Sequence, residues 1–407
     1  MPNYPLFSVM GIEIEYMLVD AQHLNVAPQS DKILQDLAGT MVNEYALGPI
    51  SVSNELVLHV LELKNHPPVA ASTDLISFFQ NTLNTLYATL DKHQLTLLPT
   101  AAHPWMNPLT ETQRWPHGNR EIYQKYDEIF NCEGHGWSNL QSMHINLPFN
   151  SNASFVQLHN AIRLILPLLP ALAASSPILE KQSTGTLDRR LSYYNRNQAM
   201  IPEIAGKIIP EFVSSIEDYH HLILHPMYEA IKPYDPEGVL QYEWLNSRGA
   251  IPKFDYHAIE IRVVDTQESV LADLSIARAV HEILKHWTQH PERYLQNPYP
   301  TEALSHVYHQ AIETGFDTTV DDPELLRQWG LSCQAPISLR EVWSLLLQSY
   351  GQDLPQDNLE HLNYILTHGN LSERILKTQP NSHQKMLDTY HTLAQCLKFN
   401  QMFKNKE

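Results

Sequence analysis

Four short stretches of this sequence place two charged or polar side chains two residues apart, and three of the four include carboxylates. Glu13 and Glu15 alternate with Ile12, Ile14 and Tyr16; Glu62 and Lys64 alternate with Leu61 and Leu63. His144 and Asn146 alternate with Met143, Ile145 and Leu147, and Glu260 and Arg262 with Ile259, Ile261 and Val263. Strand side chains alternate faces with a period of two, so each stretch has one polar and one apolar face. Taken singly, each is also what the solvated side of a half-buried sheet looks like. Together they are harder to explain that way, because Glu is a poor strand former and neighbouring carboxylates repel. Carboxylates that converge either raise one another's pKa or hold a cation that offsets the repulsion. Oxygen-rich sites select Mg2+ or Mn2+, and magnesium characteristically joins carboxylates to phosphates, which points to nucleotide chemistry.

The elements that must position these residues follow from periodicity. Strands are expected over residues 9–19, 56–64, 95–101, 141–147 and 258–264. Helical spacing of Leu75, Phe78, Phe79, Leu83, Leu86 and Leu90 predicts a helix over 73–93, with others over 119–130, 152–173 and 268–288. Strands and helices mix without a regular βαβ rhythm, so the fold class expected is α+β with a mostly antiparallel sheet. The run Ile162 to Ala174, with Pro167 and Pro170, reads as a buried helix with a kinked end. Beyond Pro291 only helical patterns appear, over 301–314, 338–350, 358–367 and 381–400. The expected organisation is a catalytic domain over 1–290 and a helical C-terminal region over 291–407.

Several functions are disfavoured. The formal charge is -18, with 45 acidic and 27 basic residues and no Lys/Arg cluster, which argues against nucleic acid or an anionic membrane as partner. Cys132, Cys333 and Cys396 lie far apart, so neither a disulfide framework nor a thiolate metal site is expected. Gly206-Lys207 lacks the rest of a phosphate loop, and Lys285 stands where a zinc-protease helix starting at His281 needs its second histidine. The N-terminus carries no export pattern, so a cytoplasmic location is expected.

The same residues resemble the glutamate–cysteine ligase family, whose members share a fold with glutamine synthetase. Gly11-Ile-Glu-Ile-Glu15 is similar to that family's GxExE strand, and Glu55 with Leu61-Glu-Leu-Lys64 to its second acidic segment. Met143-His-Ile-Asn146 resembles its histidine strand; Ala174-Ser-Ser-Pro177, Thr184-Gly185 and Arg190 resemble its SSP…TG…R segment; Ile259-Glu-Ile-Arg-Val-Val-Asp265 resembles its closing strand. The resemblance runs over residues 11–265 and ends near 290. It implies a curved sheet forming a partial barrel, ATP as co-substrate, Mg2+ or Mn2+ as cofactor, and amino-acid substrates, glutamate and cysteine in the family, as in glutathione biosynthesis. A homo-oligomer is also compatible with it.

On that basis Glu13, Glu15, Glu55, Glu62, His144 and Glu260 are expected to be metal ligands. Arg262 would meet the transferring phosphoryl group and Arg190 a substrate carboxylate or phosphate, with Glu260 completing the catalytic set; Arg248, Arg262 and Asn146 would contact the nucleotide. Ser142 stands where many members carry a first histidine, and Asp188 where a serine is common, so Asp188 is expected to repel a substrate carboxylate. Two other functions fit the same residues: a phosphotransferase acting on a guanidine, or a catalytically silent protein that binds nucleotide or amino acid.

Overall fold

The computed structural model describes residues 3–405. The strictest alternation in the sequence becomes the central strand, β1 (Gly11–Asp20), whose Ile12, Ile14 and Tyr16 are fully buried. The other strands are β2 (Glu44–Leu47), β3 (Ile50–Asn54), β4 (Val60–Asn65), β5 (Leu95–Leu98), β6 (Ser142–Pro148), β7 (Ala250–Lys253) and β8 (Ala258–Asp265). They form one sheet in the order β2-β3-β4-β1-β6-β8-β7, with β5 paired to β1 as well. All these pairings are antiparallel, and the sheet does not close into a barrel.

One face of the sheet is apolar and covered by the helices Leu75–Leu90, Asn152–Ile165 and Val270–Trp287. Asp74 caps the first of these by accepting from the Ser77 N–H, Ser151 the second and Ser269 the third, so each begins where a side-chain oxygen satisfies an otherwise unpaired N–H. The apolar run 152–173 turns 3-10 over Leu166–Leu168, at Pro167, and resumes over Leu169–Ala173. Its length and apolarity would suit a membrane span, but 89% of its most apolar stretch is buried inside the protein.

Beyond residue 290 the chain is helical over Thr301–Thr314, Leu339–Tyr350, Gln356–His368 and His383–Lys398, near the expected bounds. A two-residue ladder between β9 (Thr319–Val320) and β10 (Ile337–Ser338) corrects the expectation of no strand there. The helices Ser30–Ala38 and Leu371–Lys377, and the helical stretch from Ile216 to Ile231, were not anticipated. The C-terminal region shares the core of the sheet domain. Trp329 Nε1 donates to the Leu164 carbonyl at 2.8 Å and Trp343 Nε1 to Leu168 at 2.9 Å, pinning this region to the buried helix.

Candidate active site

Register decides which of the alternating polar residues meet. Glu13 on β1 stands opposite Lys64 on β4 and His144 on β6, and Glu15 stands opposite Glu62. Asn146 on β6 stands opposite Glu260 on β8. The β6–β8 register shifts between Met143 and Ile145, leaving His144 without a partner on β8. Irregularities of this kind re-aim a side chain and are common beside functional sites. The His144 Nδ1 lies 3.4 Å from Glu13 Oε2 and 3.9 Å from Glu260 Oε1, and its Nε2 lies 2.9 Å from Ser142 Oγ. Ser142 also donates to Glu15 Oε2, from its N–H at 2.7 Å and from its hydroxyl at 3.0 Å. The serine that replaces the family's first histidine therefore orients both a carboxylate and the remaining histidine.

The electrostatics are those of a face with more anions than fixed cations. Burial pushes Glu62 up to about 7, Glu13 and Glu15 add to the rise, and Lys64 opposes it from 2.9 Å. Half-buried Glu55, in the connection from β3 to β4, is held well above the usual carboxylate range by desolvation and then by Glu62, Glu15 and Glu13. Glu13 goes the other way. Desolvation would raise it, but Lys253 and the His144 hydrogen bond outweigh that and hold it well below its ordinary value. Burial would strip the proton from His144, yet Glu260 and the Glu13 hydrogen bond raise its pKa above the usual imidazole range.

Arg262 lies on this face, with Nε 3.1 Å from Glu260 Oε1 and one Nη donating to the Asn246 carbonyl at 3.4 Å. The other two arginines are engaged elsewhere. Arg248 gives Nε and one Nη to Glu211 at 2.6 and 2.7 Å, and its other Nη to the Glu203 carbonyl and Asn246. Its fork, 3% exposed, clamps the 203–211 loop, so the side chain is committed there and not presented to a nucleotide, a correction of the role expected for it. Arg190 is 2% exposed, with Nε on Asp265 at 2.6 Å and one Nη on the Arg262 carbonyl at 3.2 Å, so it braces β8 and is itself closed off from solvent. Asp188 is 1% exposed and caps the helix Arg189–Tyr194 by accepting from the Leu191 N–H at 2.8 Å. Burial and Asp265 hold its carboxyl well above the usual range, which favours the neutral acid and removes the expected repulsion.

Sequence reading missed Lys253, at the end of β7. Its ammonium contacts Glu260 and lies 3.5 Å from Glu13 Oε1. It also missed Ser53, whose hydroxyl donates to Glu62 at 2.8 Å. Neither had a usable signal, because β7 has four residues including Pro252, and β3 only five.

Glu13, His144 and Glu260 each offer one ligand atom, and the three atoms lie within 4.8 Å of one another. The buried Glu260 Oε2 meets the Lys253 ammonium, so a cation already sits against the two carboxylates of this triad. Two carboxylates, one imidazole and further carboxylates nearby are a donor set that suits Mg2+ or Mn2+.

The sequence profile of Glutamate-cysteine ligase family 2 matches residues 9–391, so the likeness extends well past residue 290 and takes in most of the C-terminal helices. An uncharacterized protein of Archaeoglobus fulgidus is 32% identical over 399 residues, covering 97% of this chain and all of its own. A provisionally named glutamate–cysteine ligase 2 of Bradyrhizobium diazoefficiens is 23% identical over 89% of this chain and 78% of its own. The crystal structure of a glutamate–cysteine ligase from Francisella tularensis in complex with AMP superposes with a TM-score of 0.60 at 15% identity, over 97% of this chain and 90% of that one. With the profile matched along almost its whole length, the chain belongs to glutamate–cysteine ligase family 2, a family of carboxylate–amine ligases.

Proposed function

We propose that the protein uses ATP and Mg2+ to join a carboxylate to an amine through an acyl phosphate, giving an amide of the γ-glutamyl type. The observation that carries this reading is the convergence of Glu13, His144 and Glu260 on one face, with Arg262 beside Glu260. The divalent cation, held by these three residues with Glu15, Glu55 and Glu62 nearby, would offset the negative charge of the phosphates.

The chain's own residues orient and balance charge. Asn146 donates to Glu13 Oε1 at 2.9 Å and fixes that carboxylate, leaving its other oxygen to face His144. Arg262 keeps part of its guanidinium free on the face and is the donor suited to the transferring phosphoryl group. Attack of an amine on the acyl phosphate releases a proton; Glu62, titrating near 7, is the carboxylate suited to take it. Arg190 acts by holding Asp265 and the Arg262 backbone in place. Glutamate and cysteine are the first substrates to test, since the relatives are named for them.

The test is ADP release with Mg2+ and mass spectrometry of products over single amino acids and pairs, for the native chain and Glu13→Gln. An amide that requires two substrates and is lost in Glu13→Gln supports the ligase. A phosphorylated product from one substrate, with no amide, would replace it with a phosphotransferase, and no turnover with any pair would leave a binding protein.

A further inference from the structure

Lys253 closes the short edge strand β7, in register with Ala258 on β8. From there its side chain reaches over the sheet so that the ammonium contacts Glu260 and lies 3.5 Å from Glu13 Oε1. It thus meets both carboxylates of the candidate metal triad. The neighbouring cations are tied elsewhere: Lys64 lies between Glu62 and Glu44, at 2.9 and 3.1 Å, and Arg262 reaches Glu260 but also the Asn246 carbonyl. The Lys253 side chain is 30% exposed, so it has an open side to move into.

An ammonium and a divalent cation cannot share the same carboxylate oxygens, because each repels the other at contact distance. Resting on the ligase reading above, we infer that Lys253 positions nucleotide phosphate. Its ammonium stands in for the cation while the site is empty, yields Glu13 and Glu260 to it, and turns its N–H donors to the phosphate oxygens that the cation brings. A flexible four-carbon stem on a fixed edge strand allows that swing without backbone movement. A displaced, partly buried ammonium needs a new anionic partner, and phosphate is the one arriving at this face.

Two consequences have opposite signs. Lys253→Met removes a competitor for the metal ligands and a donor for the phosphates. The experiment measures Mn2+ binding to the nucleotide-free protein by electron paramagnetic resonance, and the KM for ATP at saturating Mg2+, in the native chain, Lys253→Met and Glu13→Gln. Lys253→Gln, which keeps a polar tip on a shorter stem, is the second variant should the first fail to fold. The expected result is severalfold tighter Mn2+ binding with a KM for ATP raised about ten- to a hundredfold, the value of a charge-assisted hydrogen bond. Tighter Mn2+ with an unchanged KM would overturn the phosphate role and leave a mere counter-ion; neither change would make Lys253 structural and overturn the inference outright. In both cases loss of Mn2+ binding in Glu13→Gln would keep the ligase reading intact. A native chain that binds no Mn2+ would overturn both.

Discussion

Two groups of buried charge sit at opposite ends of β8 and are built on different terms. Past its C-terminal end, Glu268 and Arg374 are both fully buried and matched one to one. Arg374 gives its Nη atoms to Glu268 at 2.6 and 3.3 Å and to the Phe403 carbonyl at 2.8 Å, and its Nε to Gly369 at 3.1 Å. Burial works against the Glu268 anion, but Arg374 more than offsets it and holds the pKa below its ordinary value. On the open face the balance differs: Glu62 and Glu55 are raised by burial and by the charge of neighbouring carboxylates. The first group is complete as folded and ties the C-terminal helices to the sheet. The second carries carboxylates held well above their ordinary range, and on the proposed function a divalent cation completes it.

The largest effect that would break this contrast lies in the matched pair. Arg374→Ala leaves Glu268 buried without a partner and should cost about 3–5 kcal/mol in urea denaturation. A loss under about 1 kcal/mol would mean that water reaches the pair and that it is not the closed structural unit described here.

On the open face the sign reverses with pH. The folded pKa of Glu62, about 7, lies above its unfolded value of 4.5, so the native state keeps a proton that the unfolded chain has lost between those values. Its contribution is therefore fully present below 4.5 and is lost as pH rises through 7, by about 3 kcal/mol. In chelator, Glu62→Gln should flatten the fall in unfolding free energy across that window; an unchanged slope would remove Glu62 from the account.

Smaller effects sharpen the picture. Ser142→Ala removes a hydroxyl donor to Glu15 and the acceptor for His144 Nε2–H, and should weaken Mn2+ binding about tenfold with little change in stability. Arg248→Lys loses the two-pronged contact to Glu211 and should cost about 1–2 kcal/mol while leaving the KM for ATP unchanged. A raised KM with unchanged stability would return Arg248 to the nucleotide.

The sequence showed the face where alternation was strict, and hid it where strands were short or partners distant. Ile12, Ile14 and Tyr16 against Glu13 and Glu15 made β1 legible, and β6 and β8 followed the same rule. Pro252 concealed β7, because proline suits only an edge strand, and Lys253 went with it. Arg248 looked free because Glu211, its partner, is 37 positions away and lies in no regular element. Burial of Asp188 and Arg190 is likewise a product of packing around Asp265 that no local spacing encodes.

The most direct test of the central claim compares the native chain with a Glu55→Gln/Glu62→Gln variant at pH 8, by urea denaturation in chelator and again with Mg2+ and ATP. The account predicts that the variant is the more stable in chelator, because two raised carboxyls no longer ionise in the fold, and that Mg2+ with ATP stabilises the native chain but the variant much less. A variant less stable in chelator and equally stabilised by Mg2+ and ATP would contradict it, and would make the acidic face part of the scaffold.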